Sequence, residues 1–147
     1  MSGFFKSMMI SSSGLASQRL RMNVLSTNLA NAQTTRTPEG GPYKRQDVVF
    51  SAKPTGTPFE DFLDDTLLTQ LRKVRVVDIH QDSKEPRQVF DPSHIDADEN
   101  GYVKMPNVQV MSEMVNMITA TRAYEANATA LNEAKSMAVK ALEIGRA

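Results

Sequence analysis

The 147-residue chain has no cysteine and no tryptophan, only two histidines, and 6% aromatic residues. Without cysteine there is no disulfide framework, thiol nucleophile, iron–sulfur cluster or Cys-type zinc site. His80 and His94 are too few for a His-rich metal site. No apolar run approaches the roughly 20 residues of a membrane span, since the stretch around Met8-Met9-Ile10 is broken by Ser11-Ser12-Ser13. The start, MSGFFKSMMISSSG, has one Lys and a very short apolar stretch, less than a secretory signal peptide requires. The chain is therefore expected either to stay inside the cell or to leave by a route that cleaves no signal. Net charge is lacking too: 17 Lys+Arg balance 17 Asp+Glu, which argues against a generally basic nucleic-acid binder. That neutrality is an average. Residues 1–33 hold Lys6, Arg19 and Arg21 with no acid, residues 34–106 hold ten bases and thirteen acids, and residues 107–147 hold four of each.

The length is a prior for one domain, but the ends and the middle read as different kinds of polypeptide. Residues 8–33 read as a helix, with Met8, Leu15, Met22 and Leu29 in one heptad row and Ser11, Gln18, Leu25 and Ala32 in its companion. The companion row is half polar, so this seam needs a partner. Gly14 costs about 1 kcal/mol against Ala in a helix interior, and the first dozen residues are expected to be disordered until bound. Residues 108–144 carry a cleaner 4-3 pattern through Val110, Met114, Met117, Thr121, Tyr124, Ala128, Leu131, Lys135, Ala138 and Leu142. Asn107 fits its start and Gly145 its stop. At 1.5 Å per residue this helix is about 55 Å long and projects from any compact domain of this size. Between the helices, Tyr43 to Phe50, Arg72 to His80, Gln88 to Phe90 and Tyr102 to Lys104 read as strands. In the second of these, Val74, Val76 and Asp78 alternate against Arg75, Val77 and Ile79. Residues 51–70, with Pro54, Gly56, Pro58 and the acids Glu60, Asp61, Asp64 and Asp65, read as a mobile loop with a short helix near its end.

Candidate chemistry is sparse. Asp96-Ala97-Asp98-Glu99-Asn100-Gly101 matches the first half of an EF-hand loop, but position twelve, which should be a bidentate Glu, is Asn107, and no entering helix fits before it. A loop held by Asp and Asn bonding their own backbone, with Asn-Gly as a two-residue hairpin turn, fits better. Asp78 and His80 share a strand face, yet no nucleophile elbow accompanies them, so a solvated face is the better reading. The acids at 60–65 lack a paired geometry for carboxylate catalysis and read as a solvated charge run. Met111, Met114 and Met117 at helical spacing fill a core or an adaptable contact surface. On the first helix Ser17, Thr27, Asn28, Asn31 and Gln33 are polar but uncharged, which suits a second, hydrogen-bonded interface better than bulk water.

At this point the residues form a known pattern. Ser13-Gly14-Leu15, Arg21-Met22-Asn23-Val24 and Ser26-Thr27-Asn28-Leu29-Ala30-Asn31-Ala32 resemble the N-terminal signature of the flagellar axial proteins, the rod, hook and hook-associated subunits. Gly41-Pro42-Tyr43-Lys44-Arg45-Gln46, Phe90-Asp91-Pro92-Ser93-His94 and Gly101-Tyr102-Val103-Lys104-Met105-Pro106-Asn107-Val108 are similar to the small proximal-rod branch of that family. So are Glu113-Met114-Val115-Asn116-Met117 and Arg122-Ala123-Tyr124-Glu125-Ala126-Asn127. The likeness covers nearly the whole chain and is weakest at about 51–71.

The resemblance implies a structural subunit of the bacterial flagellar basal body, not an enzyme and without a cofactor or metal, that polymerises helically in the periplasmic proximal rod and transmits torque. It implies export through the flagellar type III apparatus without signal cleavage. The partners implied are other rod proteins, the adaptor FliE, the membrane-ring protein and further copies of the chain, with no nucleic acid and no membrane span. The fold implied is α+β: long N- and C-terminal helices paired as an antiparallel coiled-coil-like inner domain (1–35 and 107–147) with a small β-rich insertion (36–106). On that architecture Leu15, Met22, Leu25 and Leu29 are expected to pack against Met117, Tyr124, Ala128 and Leu131, with Met114 in the same seam. Asn28, Asn31, Arg122 and Asn127 are the candidates for bonding between subunits. The rival readings are another axial subunit, a coiled-coil adaptor, a calcium-sensing module and a hydrolase dependent on His80.

Overall fold

The computed structural model describes residues 2–54 and 71–145. The chain opens with α1, Ser2–Ala30, and closes with α2, Val110–Ile144. At 1.5 Å per residue they are about 44 and 53 Å long. They run antiparallel: Asn28 meets Glu113, Met22 meets Thr121, and Gly14 meets Asn127. The expected disorder of the first dozen residues is not seen, because α1 is helical from Ser2 and the far half of α2 extends past it. α1 stops where Asn31 N–H bonds the Thr27 carbonyl and Ala32 N–H that of Leu29. The chain then turns through Gly40 and Gly41, whose φ angles of 89° and 79° favour glycine.

Between the helices lie two antiparallel hairpins. β1 (Gln46–Pro54) pairs with β2 (Arg72–Gln81), and β3 (Arg87–Phe90) pairs with β4 (Tyr102–Met105). β1 is longer than its sequence suggests: residues 51–54, assigned above to a loop, continue the ladder from Ser51 opposite Arg75 to Pro54 opposite Arg72. The short helix and the acids Glu60, Asp61, Asp64 and Asp65 lie outside the described residues. A bulge places Val49 opposite Asp78 but Phe50 opposite Val76, so the extra residue Val77 is turned outward at 63% exposure. The expected alternation along β2 fails at that point, since a bulge re-aims the residues beyond it. In the second hairpin Asn100-Gly101 is not a two-residue connection. It ends the long loop 91–101, with Gly101 at φ 78° donating to the Asp98 carbonyl.

The helix seam differs from expectation by half. On α2 Glu113, Ala120 and Ala134 are buried, while Met117, Tyr124, Asn127, Leu131 and Ala138 are half-buried. The row 117, 124, 131, 138 is the expected one. Its companion is mixed: buried Glu113, Ala120 and Ala134 come one residue before the expected positions 114, 121, 128 and 135, of which Thr121 and Ala128 are half-buried and remain in the seam. Met114, 46% exposed, and Lys135 therefore lie outside the seam. Small side chains at Ala120 and Ala134, and Gly14 opposite Asn127, let the helices approach along this row. A Cβ on Gly14 would stand 2.7 Å from Asn127 Oδ1, so the glycine that looks like a helix defect is a close-packing device.

Candidate functional site

The insertion is fastened to the helix pair at one buried cluster. Asn28, in the last turns of α1, is fully buried. Its Nδ2 donates to the Gln46 carbonyl (2.7 Å) and to Glu113 Oε2 (3.0 Å). Its Oδ1 accepts the Gln46 N–H and the Tyr43 hydroxyl, both at 2.9 Å. Both donors and both lone pairs of the amide are thus used, which is what makes its complete burial tolerable. One side chain thereby occupies the main-chain groups that open β1.

Glu113 completes the cluster from the first turn of α2, with its side chain 2% exposed. Its Oε1 accepts from Arg45 Nε at 2.8 Å, and Arg45 also reaches Asp47 Oδ2 at 3.2 Å. A buried carboxylate is tolerated only when paired and hydrogen-bonded, and its place near a helix N-terminus is favourable. Burial works against the Arg45 cation, but Glu113 and then Asp47 outweigh it and hold its pKa above the ordinary guanidinium value. Tyr43 is pushed up from 10.0 by burial and then by the charge of Glu113, against the opposing pull of Arg45. Removing any one member strands polar groups of the others.

The remaining residues singled out in the sequence fall into three groups. Leu25 is buried, and Leu15, Met22, Leu29, Met117, Tyr124, Ala128 and Leu131 are half-buried on the two helices. The uncharged polar face of α1 turns partly toward the insertion: Ser13 Oγ accepts the Val74 N–H, and Ser17 Oγ approaches the Val74 carbonyl at 3.5 Å. Of the four residues expected to bond between subunits, three are engaged within the chain. Asn28 is in the cluster, Asn31 Nδ2 donates to the Thr27 carbonyl, and Asn127 Nδ2 donates to the Ala123 carbonyl. A long helix leaves main-chain carbonyls within reach of an amide side chain one turn later, so such residues satisfy themselves first. Arg122 is exposed.

Glu113, Tyr43, Arg45 and Gly14 were not singled out as site residues. The one available signal is a lone acid at the head of the 113, 120, 127, 134 row, where an apolar side chain belongs.

The acidic loop is ordered by its own backbone. Asp98 Oδ1 accepts the Asn100 and Tyr102 N–H groups, and Asp91 takes the Ser93 N–H and hydroxyl, which hold its pKa below the usual carboxylate value. Asp96 Oδ2 accepts from Thr35 Oγ1 at 2.8 Å, a tie between this loop and the end of α1. Asp78 and His80 are both exposed. Among the described residues no helix is long and apolar enough to cross a membrane.

Residues 8–36 match the family model for the flagella basal body rod protein, and residues 99–144 match that for the flagellar basal body rod FlgEFG protein C-terminal. The two matches contain the two arms of the buried cluster, Asn28 and Glu113. Among curated proteins, the flagellar basal-body rod protein FlgC of Borreliella burgdorferi is 44% identical, covering 97% of each chain. That of Bacillus subtilis is 42% identical over 97% of this chain and 98% of its own. That of Salmonella typhimurium is 39% identical over 93% of this chain and 94% of its own.

Proposed function

The chain belongs to the FlgC family of flagellar basal-body rod proteins, and on that premise we propose that it acts in the proximal rod as a load-bearing unit whose function lies in contacts and not in catalysis. It is a structural subunit of the basal-body rod. The proposal extends to the division of labour within it: residues 1–35 and 107–147 form the rod-core part, and residues 36–106 sit outside that core. Its partners are other rod subunits and further copies of itself, with FliE, the membrane-ring protein and the export apparatus as more distant candidates.

The observation that carries this reading is the Asn28–Glu113 contact with Arg45. It ties the first helix, the last helix and the insertion at one point, so torque entering through the insertion reaches both helices without a hinge. Subunits of this shape stack through heterologous contacts, which propagate as a helix when they do not close. Among the described residues many large apolar side chains are exposed, among them Met111, Met114, Val115 and Ile118 close together on α2, and this supports a life spent in contact. The test is Leu29→Asp in a motile strain. Export is retained, while the chain disappears from isolated basal bodies and swimming stops. Normal motility in that variant would refute the reading.

A further inference from the structure

The far end of the β1–β2 ribbon is a basic surface. Lys53 stands directly opposite Lys73 and Ser51 opposite Arg75, so three cations share one face, and Arg72 follows opposite Pro54. Lys53, Arg72 and Arg75 are exposed and Lys73 is half-buried. Like charges placed directly opposite in a ladder are destabilising, and among the described residues none of the four cations forms an ion pair. The ribbon thus carries a repulsion that an added anion relieves. Val77, two residues along β2 from Arg75 and 63% exposed, gives this end an apolar group as well.

The opposite end of the insertion carries the complementary charge. Loop 91–101 holds Asp91, Asp96, Asp98 and Glu99 and no Lys or Arg. It stays negative even when Arg36 and Lys104, which line the groove beside Asp96 and Asp98, are counted with it. Among the described residues none of its acids is paired with a Lys or Arg. Between the acids Ile95 is 95% exposed, held out on a loop whose backbone Asp91 and Asp98 fix. The two surfaces cannot meet within one copy. β1 spans about 27 Å from Gln46 to Pro54 at 3.4 Å per residue. The loop is tied to the Gln46 end, because Asp96 bonds Thr35 and the Tyr43 N–H bonds the Thr34 carbonyl. That gap is several times the roughly 8 Å screening length at physiological salt, so the two ends do not neutralise each other internally.

We propose that the acidic loop 91–101 of one copy docks on the basic end of the β1–β2 ribbon of a second copy. Asp98 and Glu99 face Lys53, Lys73 and Arg75, and Ile95 seats beside Val77. The inference rests on the rod-subunit reading and adds to it a contact made by the insertions. The two surfaces differ and lie at opposite ends of the insertion, so the contact is heterologous and runs head to tail. Complementary charge of this kind orients and speeds association and suppresses wrong partners more than it adds affinity. The few side chains involved fall short of the roughly 800 Å² per partner of a stable pair, so dilute copies stay apart and the contact forms where an assembly holds them together.

Charge exchange at two exposed, unpaired positions tests this. Arg75→Glu and Glu99→Arg each lower the amount of this chain in isolated basal bodies at least fivefold. Combined in one chain they restore it to within twofold of the parent. Since the protein has no cysteine, Ile95→Cys with Ser51→Cys, the residue opposite Arg75, gives a clean cross-linking pair. Oxidised basal bodies yield dimers and longer ladders of this chain, and the dilute purified protein yields none. Neutral single exchanges, a combined variant no better than the worse single one, or disulfides to a different protein overturn the docking while leaving the rod reading intact. So does a loss of incorporation on neutralising Glu60, Asp61, Asp64 and Asp65 that Glu99→Arg does not reproduce, since the cations then serve the chain's own connection. A parent chain absent from basal bodies overturns the rod reading itself.

Discussion

Asn28→Asp is the most informative single change, because it keeps the shape and replaces the amide donor with an ionisable carboxyl group. Nδ2 stands 3.0 Å from Glu113 Oε2, so the variant places two buried carboxyl groups at that distance. If both stayed ionised, their repulsion at an effective dielectric of about 20 would be about 5 kcal/mol. Retaining one proton avoids it. Holding a proton on a group with an ordinary carboxyl pKa near 3.9 costs about 1.36 kcal/mol per pH unit, or about 4 kcal/mol at pH 7. The smaller cost prevails, so the folded variant carries a shared proton that the unfolded chain lacks. Its deficit against the parent is about 4 kcal/mol at pH 7 and falls to about 1.5 kcal/mol at pH 5. The sign follows from the extra proton of the folded state: relative stability is present below the unfolded carboxyl pKa and is lost as pH rises. Four kcal/mol is a large share of the 5–15 kcal/mol that holds most domains together. Urea denaturation of parent and variant between pH 4.5 and 8 reads the difference. Adding Glu113→Gln to the variant removes one carboxyl and should flatten the pH dependence. A deficit under 1 kcal/mol at pH 7, or one that is equal at pH 5 and pH 7, would refute the cluster as the joint of the molecule.

Tyr43→Phe loses the hydroxyl that bonds Asn28 and should destabilise by about 1 kcal/mol at neutral pH. Because the Tyr43 pKa is raised on folding, its contribution is complete below pH 10 and is lost as pH climbs through the folded value, so parent and variant should converge in denaturation curves above about pH 10. Gly14→Ala alone meets Asn127 Oδ1 at 2.7 Å. Made on top of Asn127→Ala, the same change should raise stability by up to about 1 kcal/mol through helix propensity, and a further loss in that background would count against the close-approach account. Asp47→Asn touches only the 54% exposed end of the ion-pair chain and should cost no more than about 0.5 kcal/mol. A larger thermal shift than Glu113→Gln produces would reverse the ranking of the two bridges.

The two helices and most strand positions were legible because their signals are local. A 4-3 spacing over 108–144 without Pro or Gly has one conformational reading, and observed α2 differs from it by two residues at the start. The row 117, 124, 131, 138 was legible for the same reason. Its companion was not, since counting apolar residues favours Met114 over Glu113, and only the meeting with Asn28 and Arg45 makes a buried Glu acceptable. Asn28 itself was noticed as one of several uncharged polar residues on α1. The bonds it makes within the chain were not legible, because the strand that absorbs it, opening at Gln46, lies beyond a turn whose path no local pattern specifies. The bulge that exposes Val77 is a register event between two strands and has no signature in either one.

The sequence by itself determined that this is a chain of two long helices around a β-rich insertion, with no thiol chemistry and with the marks of the flagellar axial family. Those properties follow from residue types and spacings that act over one or two helical turns. Tertiary structure alone decided that Glu113 and not Met114 turns inward, that Gly14 admits Asn127, and that Asn28, Tyr43, Arg45 and Glu113 form one buried joint. The physical reason is that a buried polar group is acceptable only beside its partners, and those partners come from residues 15 to 85 positions away, brought together only when the ends of the chain pair.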